Sequence, residues 1–331
     1  MLNQKLHLNT KSEQRSIREG FGEGLVQAAI KNGNIVGLCA DLTNSTKMNL
    51  FAEKFPERFI EVGVAEQNLV SIAAGMAAME KIPFVGSFAV FSPGRNWEQI
   101  RTNVCYNNVP VKIVGSHAGL SASADGGSHQ GLEDIALTRV LPNMTVISPC
   151  DALEAKKATI AMSKLDSPSY IRLCRNKTKV ITTKDTPFKI GKSQIVFVPE
   201  VGLAQVGIIA TGPLLHKAIQ AAKELEKKDI KVKVMNLSTI KPLDADGVIT
   251  LAKEAKVIVT VEEHQLNGGM GSAIAECLAK HYPVPIEFIG LDDAFGQSGT
   301  YDELIKHYNL DTPNIVKAVE KVLKRKDKKY I

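Results

Sequence analysis

Aromatic side chains are scarce in this chain, 5% of its 331 residues, with a single tryptophan. No stretch interleaves Lys or Arg with rings, so no nucleic-acid partner is expected. Cysteine is sparse and unpaired: Cys39, Cys105, Cys150, Cys174 and Cys277 are scattered, odd in number and without a C-x-x-C pair. That pattern argues against a disulfide framework and makes them reduced core thiols. No apolar run reaches the length of a membrane span. The polar, charge-mixed residues 1–19 hold no signal-peptide core, so a cytoplasmic location is expected.

What is present is an ordinary globular mixture, 44% hydrophobic and 23% charged, long enough for two domains with cores of their own. The net charge of +6 is modest, and much of it sits at 321–329, a stretch that reads as a solvated helix end. Mild basicity is compatible with phosphorylated substrates and says no more.

Strand-like and helix-like segments alternate. Strands read at 35–40, 59–62, 84–89, 111–116, 145–148 and 170–173. They are short and mostly continuous in apolar residues, as strands covered on both faces are. Helices read at 21–31, 66–79, 96–106, 132–140 and 151–164, the last with Asp151 as N-cap just after Pro149. The Lys- and Thr-rich stretch 176–192, with Pro187, reads as a linker. A second series follows, with strands at 206–210, 231–237, 257–261 and 286–289 and helices at 213–227 and 270–281, then two closing helices near 301–307 and 314–324. The expected fold class is α/β: two domains split near residue 190, each a mainly parallel sheet covered by helices.

In such sheets ligands bind beyond the carboxyl ends of the strands. That rule selects the loops 41–46, 61–68, 87–95 and 117–130 together with Arg175, all in the first domain. The most informative of them is Gly63-Val64-Ala65-Glu66-Gln67-Asn68. It sets one carboxylate, crowded by small apolar residues, at a strand-to-helix junction. An acid is welcome in the first turn of a helix. Buried there without a partner it is costly, and an acid so placed can hold or pass a proton.

The loop 117–130 is built almost wholly of small residues, with His117, Asp125 and His129 standing out. Small residues let backbone approach a ligand closely, and histidine carries protons near neutrality or donates to an anionic oxygen. Two histidines and an aspartate could also be three metal ligands, but no fourth is evident. Phe88 and Phe91, three apart after a strand, either pack in the core or offer faces to a flat heterocycle. Gly269-Met270-Gly271 opens a helix after a strand, a partial dinucleotide fingerprint. The third glycine position is Ile274, and residues 262–268 separate the strand from the first glycine. These glycines therefore read as helix-start and packing residues.

Asp41-Leu-Thr-Asn-Ser45, Gly63-Val-Ala-Glu66-Gln-Asn, Ser87-Phe-Ala-Val-Phe91, Gly115-Ser-His117, Ala124-Asp125-Gly-Gly-Ser-His129-Gln130 and Arg172-Leu-Cys-Arg175 together resemble the transketolases, in order and in spacing. Glu262-Glu-His-Gln-Leu-Asn-Gly-Gly-Met-Gly matches as well. The resemblance covers most of the chain. It implies a thiamine diphosphate pyrimidine-binding domain at 14–185 and a transketolase C-terminal domain at 190–326. A full-length transketolase begins with another domain, marked by Gly-Asp-Gly and a later Asn, which binds the diphosphate and its Mg2+ or Ca2+. No Gly-Asp-Gly occurs here. The chain therefore looks like the C-terminal subunit of a split transketolase, needing an N-terminal partner subunit in an α2β2 assembly. This chain itself is expected to supply no metal ligand.

The resemblance also implies roles. Glu66 would hydrogen-bond the N1′ nitrogen of the aminopyrimidine, Phe88 and Phe91 would pack on that ring, and Asp41 would lie near the cofactor. Asp125 would bind a donor hydroxyl and His129 the reacting oxygens. Arg18, Ser45, His117 and Arg175 would hold the sugar phosphate. The implied activity is transfer of a two-carbon ketol unit from a ketose phosphate to an aldose phosphate. Two departures stand out: Ala124 where the family often has Glu, and Gly94 where many members have a third aromatic. Deoxyxylulose-phosphate synthases share Ala-Asp-Gly. The β-subunits of 2-oxo acid dehydrogenases share the two-domain plan and a similar Glu, but have no counterpart to His117, Asp125 and His129.

Overall fold

Apolar strands that run without alternation are expected to be covered on both sides; most are, but the edge strand Phe59–Glu61 is half-buried at Phe59 and exposed at Ile60 and Glu61. The computed structural model describes residues 1–9, 11 and 13–326. In the larger sheet the strands Ile35–Cys39, Lys112–Ser116, Thr145–Ile147 and Ser169–Leu173 are buried throughout. The seven strands lie in the order Thr239–Lys241, Thr145–Ile147, Ser169–Leu173, Lys112–Ser116, Ile82–Phe88, Ile35–Cys39, Phe59–Glu61. All neighbours are parallel except the pair formed by Thr239–Lys241 with Thr145–Ile147.

This order creates a switch point. From Ile35–Cys39 the chain goes to one side for Phe59–Glu61, then crosses back through the helix Glu66–Ala78 to Ile82–Phe88 on the other side. Loops leaving neighbouring strands in opposite directions open a crevice at their carboxyl ends. The helix Glu66–Ala78 lies over the sheet with Leu69, Val70, Ala73, Ala74 and Ala77 buried. Close packing elsewhere needs glycine. A Cβ on Gly20, in the helix Ile17–Lys31, would sit 1.8 Å from the Ala152 carbonyl oxygen of the helix Ala152–Met162. Asp151 caps that second helix, accepting from the Glu154 N–H at 2.8 Å.

The smaller sheet runs Ile286–Leu291, Ile258–Gln265, Val206–Ala210, Val232–Asn236, Gln194–Phe197, the last strand antiparallel. Helices Leu215–Glu226, Ala245–Ala255, Met270–His281, Tyr301–His307 and Thr312–Lys326 belong to this half. The glycine-bearing turn before Met270 is not a phosphate site. The buried Glu262 carboxylate accepts the N–H groups of Met270 and Gly271, both at 2.7 Å, and fills the space there. A Cβ on Gly269 would stand 2.3 Å from it.

Three expectations need correction. The stretch 176–192 is not merely a linker: Lys177–Lys179 pairs antiparallel with Gln14–Ser16. The two halves are not cleanly separate, because Thr239–Lys241 adds a strand to the larger sheet. The segment read as the helix 96–106 is a short α-turn, Trp97–Gln99, continuing as a π-helix, Ile100–Tyr106. All five cysteines are buried and free.

Candidate active site

The carboxyl ends of Ile82–Phe88 and Lys112–Ser116 are in register, with Phe88 opposite Ser116. That register sets Phe88 beside His117, the next residue on its strand. Their rings stack at 3.8 Å between centroids. Phe91 follows, 6.1 Å from Phe88 and within 14° of parallel. His129, from the far end of the 117–130 loop, meets Phe88 and Phe91 edge-on at 6.4 and 5.5 Å. Two of the scarce aromatic rings and two imidazoles thus gather at one place, with Phe88 buried and Phe91 half-buried.

Glu66 stands at the first turn of its helix with 1% of its surface exposed. The pocket is not purely apolar: Arg95 donates to Glu66 Oε2 at 3.0 Å, while Ser87 Oγ lies 3.5 Å from Oε1. Arg95 also lies over the Phe91 ring, 4.8 Å from its centroid. The buried Asn96 donates to the Glu66 carbonyl oxygen at 3.0 Å and to Ser92 at 3.1 Å, which ties the helix to the 87–95 loop. Neither Arg95 nor Asn96 stands out in the sequence. Only their position in one of the selected loops pointed to them.

His117 adopts a left-handed backbone, φ 55°. Such strain in a non-glycine residue tends to collect at functional sites. Its Nδ1 is 2.9 Å from Ser116 Oγ. Burial holds its imidazole down at about 3, helped by the charges of Arg18, Arg175 and His129. His117 is therefore neutral at ordinary pH, able to donate one hydrogen bond and accept another.

The anion-binding candidates also converge. Arg18 donates to the backbone carbonyl oxygens of Ser45 and, at 3.0 Å, of Arg175. It joins three segments that are far apart in sequence. Arg175 reaches the carbonyl oxygen of Ala122 at 3.0 Å and the Asp125 carboxylate at 3.4 Å. Asp41 follows the neighbouring strand Ile35–Cys39. It has φ 58°, and its N–H donates to Glu61 Oε1 at 2.6 Å; the same carboxylate accepts from Gly63 N–H at 3.2 Å. Glu61, unremarked in the sequence, binds the 41–46 loop to the Glu66 loop. The metal reading of His117, Asp125 and His129 loses its geometry. Asp125 turns to Arg175 and His117 to Phe88, and no group of three potential ligands is present among the described residues.

The smaller sheet reaches into this site. Glu263 Oε2 accepts from the Tyr301 hydroxyl at 2.7 Å. Gly119 lies against that carboxyl: its φ is +68°, and a Cβ there would come within 2.3 Å of Oε1. Burial raises Glu263 to about 7, against the pull of Arg172 and of Tyr301. A carboxyl whose folded value lies above its unfolded one stabilises most below the unfolded value, near 4.5, and loses that contribution as pH climbs through 7. Measured against Glu263→Gln by urea denaturation, the wild type is expected to lose about 3 kcal/mol between pH 4.5 and 8. A pH-independent difference would show that Glu263 does not titrate in that window.

A planar ligand with a basic ring nitrogen needs a ring to lie on and a carboxylate at its edge. Phe91 and Glu66 supply both. The donor set fits the aminopyrimidine end of thiamine diphosphate.

The model of the family "Transketolase, pyrimidine binding domain" matches residues 13–180, and that of "Transketolase, C-terminal domain" matches residues 200–315. The chain is 40% identical to a putative transketolase C-terminal section from Methanocaldococcus jannaschii over 94% of this chain and 97% of that protein. It is 38% identical to the 6-deoxy-6-sulfo-D-fructose transketolase subunit SqwH of Clostridium sp. (strain MSTE9), over 96% of this chain and 97% of that one. Among solved structures, one described as a split gene transketolase, inactive beta4 tetramer, superposes with a TM-score of 0.87. It has 41% identity and covers 94% of this chain and 99% of its own.

Proposed function

The chain belongs to the transketolase family, and we propose that it is the C-terminal half of a split transketolase. It carries the pyrimidine-facing half of the active site and transfers two-carbon ketol units between sugar phosphates. The observation that bears most weight is the buried Glu66 beside the Phe88, Phe91, His117 and His129 cluster.

Transketolases use thiamine diphosphate and a divalent metal, and the cofactor, when bound, supplies the electron sink for breaking and remaking a carbon–carbon bond next to a carbonyl. Glu66 holds a proton against the N1′ nitrogen of the aminopyrimidine, and burial keeps water from competing for it. Phe91 and Phe88 orient that ring. His129 donates to the sugar's reacting oxygens, Asp125 accepts from a hydroxyl, and neutral His117 donates at the phosphate end. Arg175 meets the anionic end of the sugar with a flat fork suited to phosphate oxygens. Arg18 and Ser45 complete that end. Arg18, Ser45 and Arg175 are already linked through Arg18. Diphosphate and metal are held by a partner chain bearing Gly-Asp-Gly, and the two chains form an α2β2 assembly.

Two-carbon transfer from xylulose 5-phosphate tests this reading. The purified chain, given thiamine diphosphate and magnesium, is expected to be inactive, and addition of the partner chain is expected to restore transfer. Activity in the lone chain overturns the split arrangement. Turnover of pyruvate instead of the ketose by the mixture assigns the pair to 2-oxo acid chemistry.

A further inference from the structure

Arg95 takes no part in the chemistry described above, yet it engages both groups on which that chemistry depends. Its guanidinium lies over Phe91 at 4.8 Å and donates to Glu66 Oε2 at 3.0 Å. We propose that Arg95 stands in for the aminopyrimidine in the uncombined chain, and that it must swing out when the cofactor arrives. The inference rests on the proposed function, because the ring that it imitates belongs to that cofactor.

The mimicry is chemical. Guanidinium is flat, delocalised and cationic, and its N–H groups point outward in its own plane. It therefore offers Phe91 a face and Glu66 an N–H, the two contacts that an aminopyrimidine sharing a proton at N1′ would make. A buried carboxylate without either partner would be costly. Arg95 covers that interval and holds the Glu66 carboxyl oriented until the exchange.

The exchange is mechanically simple. The Arg95 side chain is 50% exposed while Glu66 is 1% exposed, so the cation can leave to solvent and the acid cannot. The backbone N–H of Arg95 bonds the Phe91 carbonyl oxygen at 2.8 Å, and Asn96 holds the segment to Glu66. The loop can stay in place while side-chain torsions change. A Cβ on Gly94, next to Arg95, would meet the Val90 carbonyl oxygen at 1.9 Å, so this backbone turn takes glycine.

Arg95 is thus a positioning residue, and its effect is on cofactor affinity. Isothermal titration calorimetry of thiamine diphosphate, with magnesium, into the reconstituted two-chain assembly provides the test. Arg95→Met is expected to bind about tenfold tighter than wild type, because a partly exposed ion pair and a cation–π contact no longer have to be broken. Arg95→Lys is expected to fall between, keeping the charge but losing the flat face. The gap between wild type and Arg95→Met is expected to narrow in high salt, which screens the pair. Unchanged or weaker binding by Arg95→Met, with wild type still binding, overturns the stand-in role and leaves the transketolase reading intact. Absence of binding in every assembly overturns both.

Discussion

Glu66→Ala is expected to lower turnover of the reconstituted enzyme by about 10³-fold, the range lost when a positioned acid–base group is removed. The fold is expected to survive. Among the described residues the side chain of Glu66 has one charged partner, Arg95, which is half exposed and can turn to water. The Asn96 bond goes to the Glu66 backbone and is kept by alanine. Thermal unfolding of the variant should therefore lie within a few degrees of wild type. Glu66→Gln separates shape from chemistry, because it preserves volume and hydrogen bonding but cannot share a proton as an acid does. A Gln variant as slow as the Ala variant assigns the loss to proton affinity. Near-normal rates in either remove Glu66 from the mechanism.

The second large effect concerns stability. Asp134, 1% exposed, accepts from the Tyr170 hydroxyl at 2.6 Å and from Arg172 Nε at 2.9 Å. Arg172, 4% exposed, also donates to the Glu263 carbonyl oxygen at 2.7 Å and to that of Gly131 at 3.4 Å. Asp134→Ala would leave a buried guanidinium without its counter-charge. The expected cost is about 3–5 kcal/mol, or roughly 10 °C in melting temperature for domains of this size. The consequence reaches the site, since Arg172 lies on the strand that leads to Arg175 and fastens the end of the 117–130 loop. Asp134→Ala combined with Arg172→Met is expected to recover much of the loss, because neither charge is then stranded. A double variant no more stable than Asp134→Ala shows that the charge is not the source of the cost.

Glu263 gives this network a second purpose. Its side chain lies against Gly119 and its carbonyl oxygen holds Arg172. One residue of the smaller sheet therefore supports both the substrate-side loop and the strand below it. The motif Glu262-Glu263-His264 was visible in the sequence, but its division of labour was not. Glu262 caps a helix of its own half, and Glu263 reaches across to the other. Neighbouring positions on a strand face opposite sides, so what each one touches depends on which elements pack there.

The same limit explains two of the missed elements. Lys177–Lys179 and Thr239–Lys241 are three residues long, too short to carry a period. Each becomes a strand because a partner segment lies beside it. Arg95 reads as an ordinary surface charge in a loop. Its partner Glu66 is 29 positions earlier, and no local pattern links the two.

Local chemistry written in the chain determined the parallel α/β plan, the loops at the strand ends, the acid at a helix start and the family those motifs resemble. Apolar periodicity and the residue types at turns act over a few positions and survive in a linear reading. Tertiary structure decided which charges meet: Arg95 with Glu66, Arg172 with Asp134, Arg18 with the segments of Ser45 and Arg175. Electrostatic and stacking contacts depend on separations of a few ångströms in space. Here folding sets those separations between residues tens to more than a hundred positions apart.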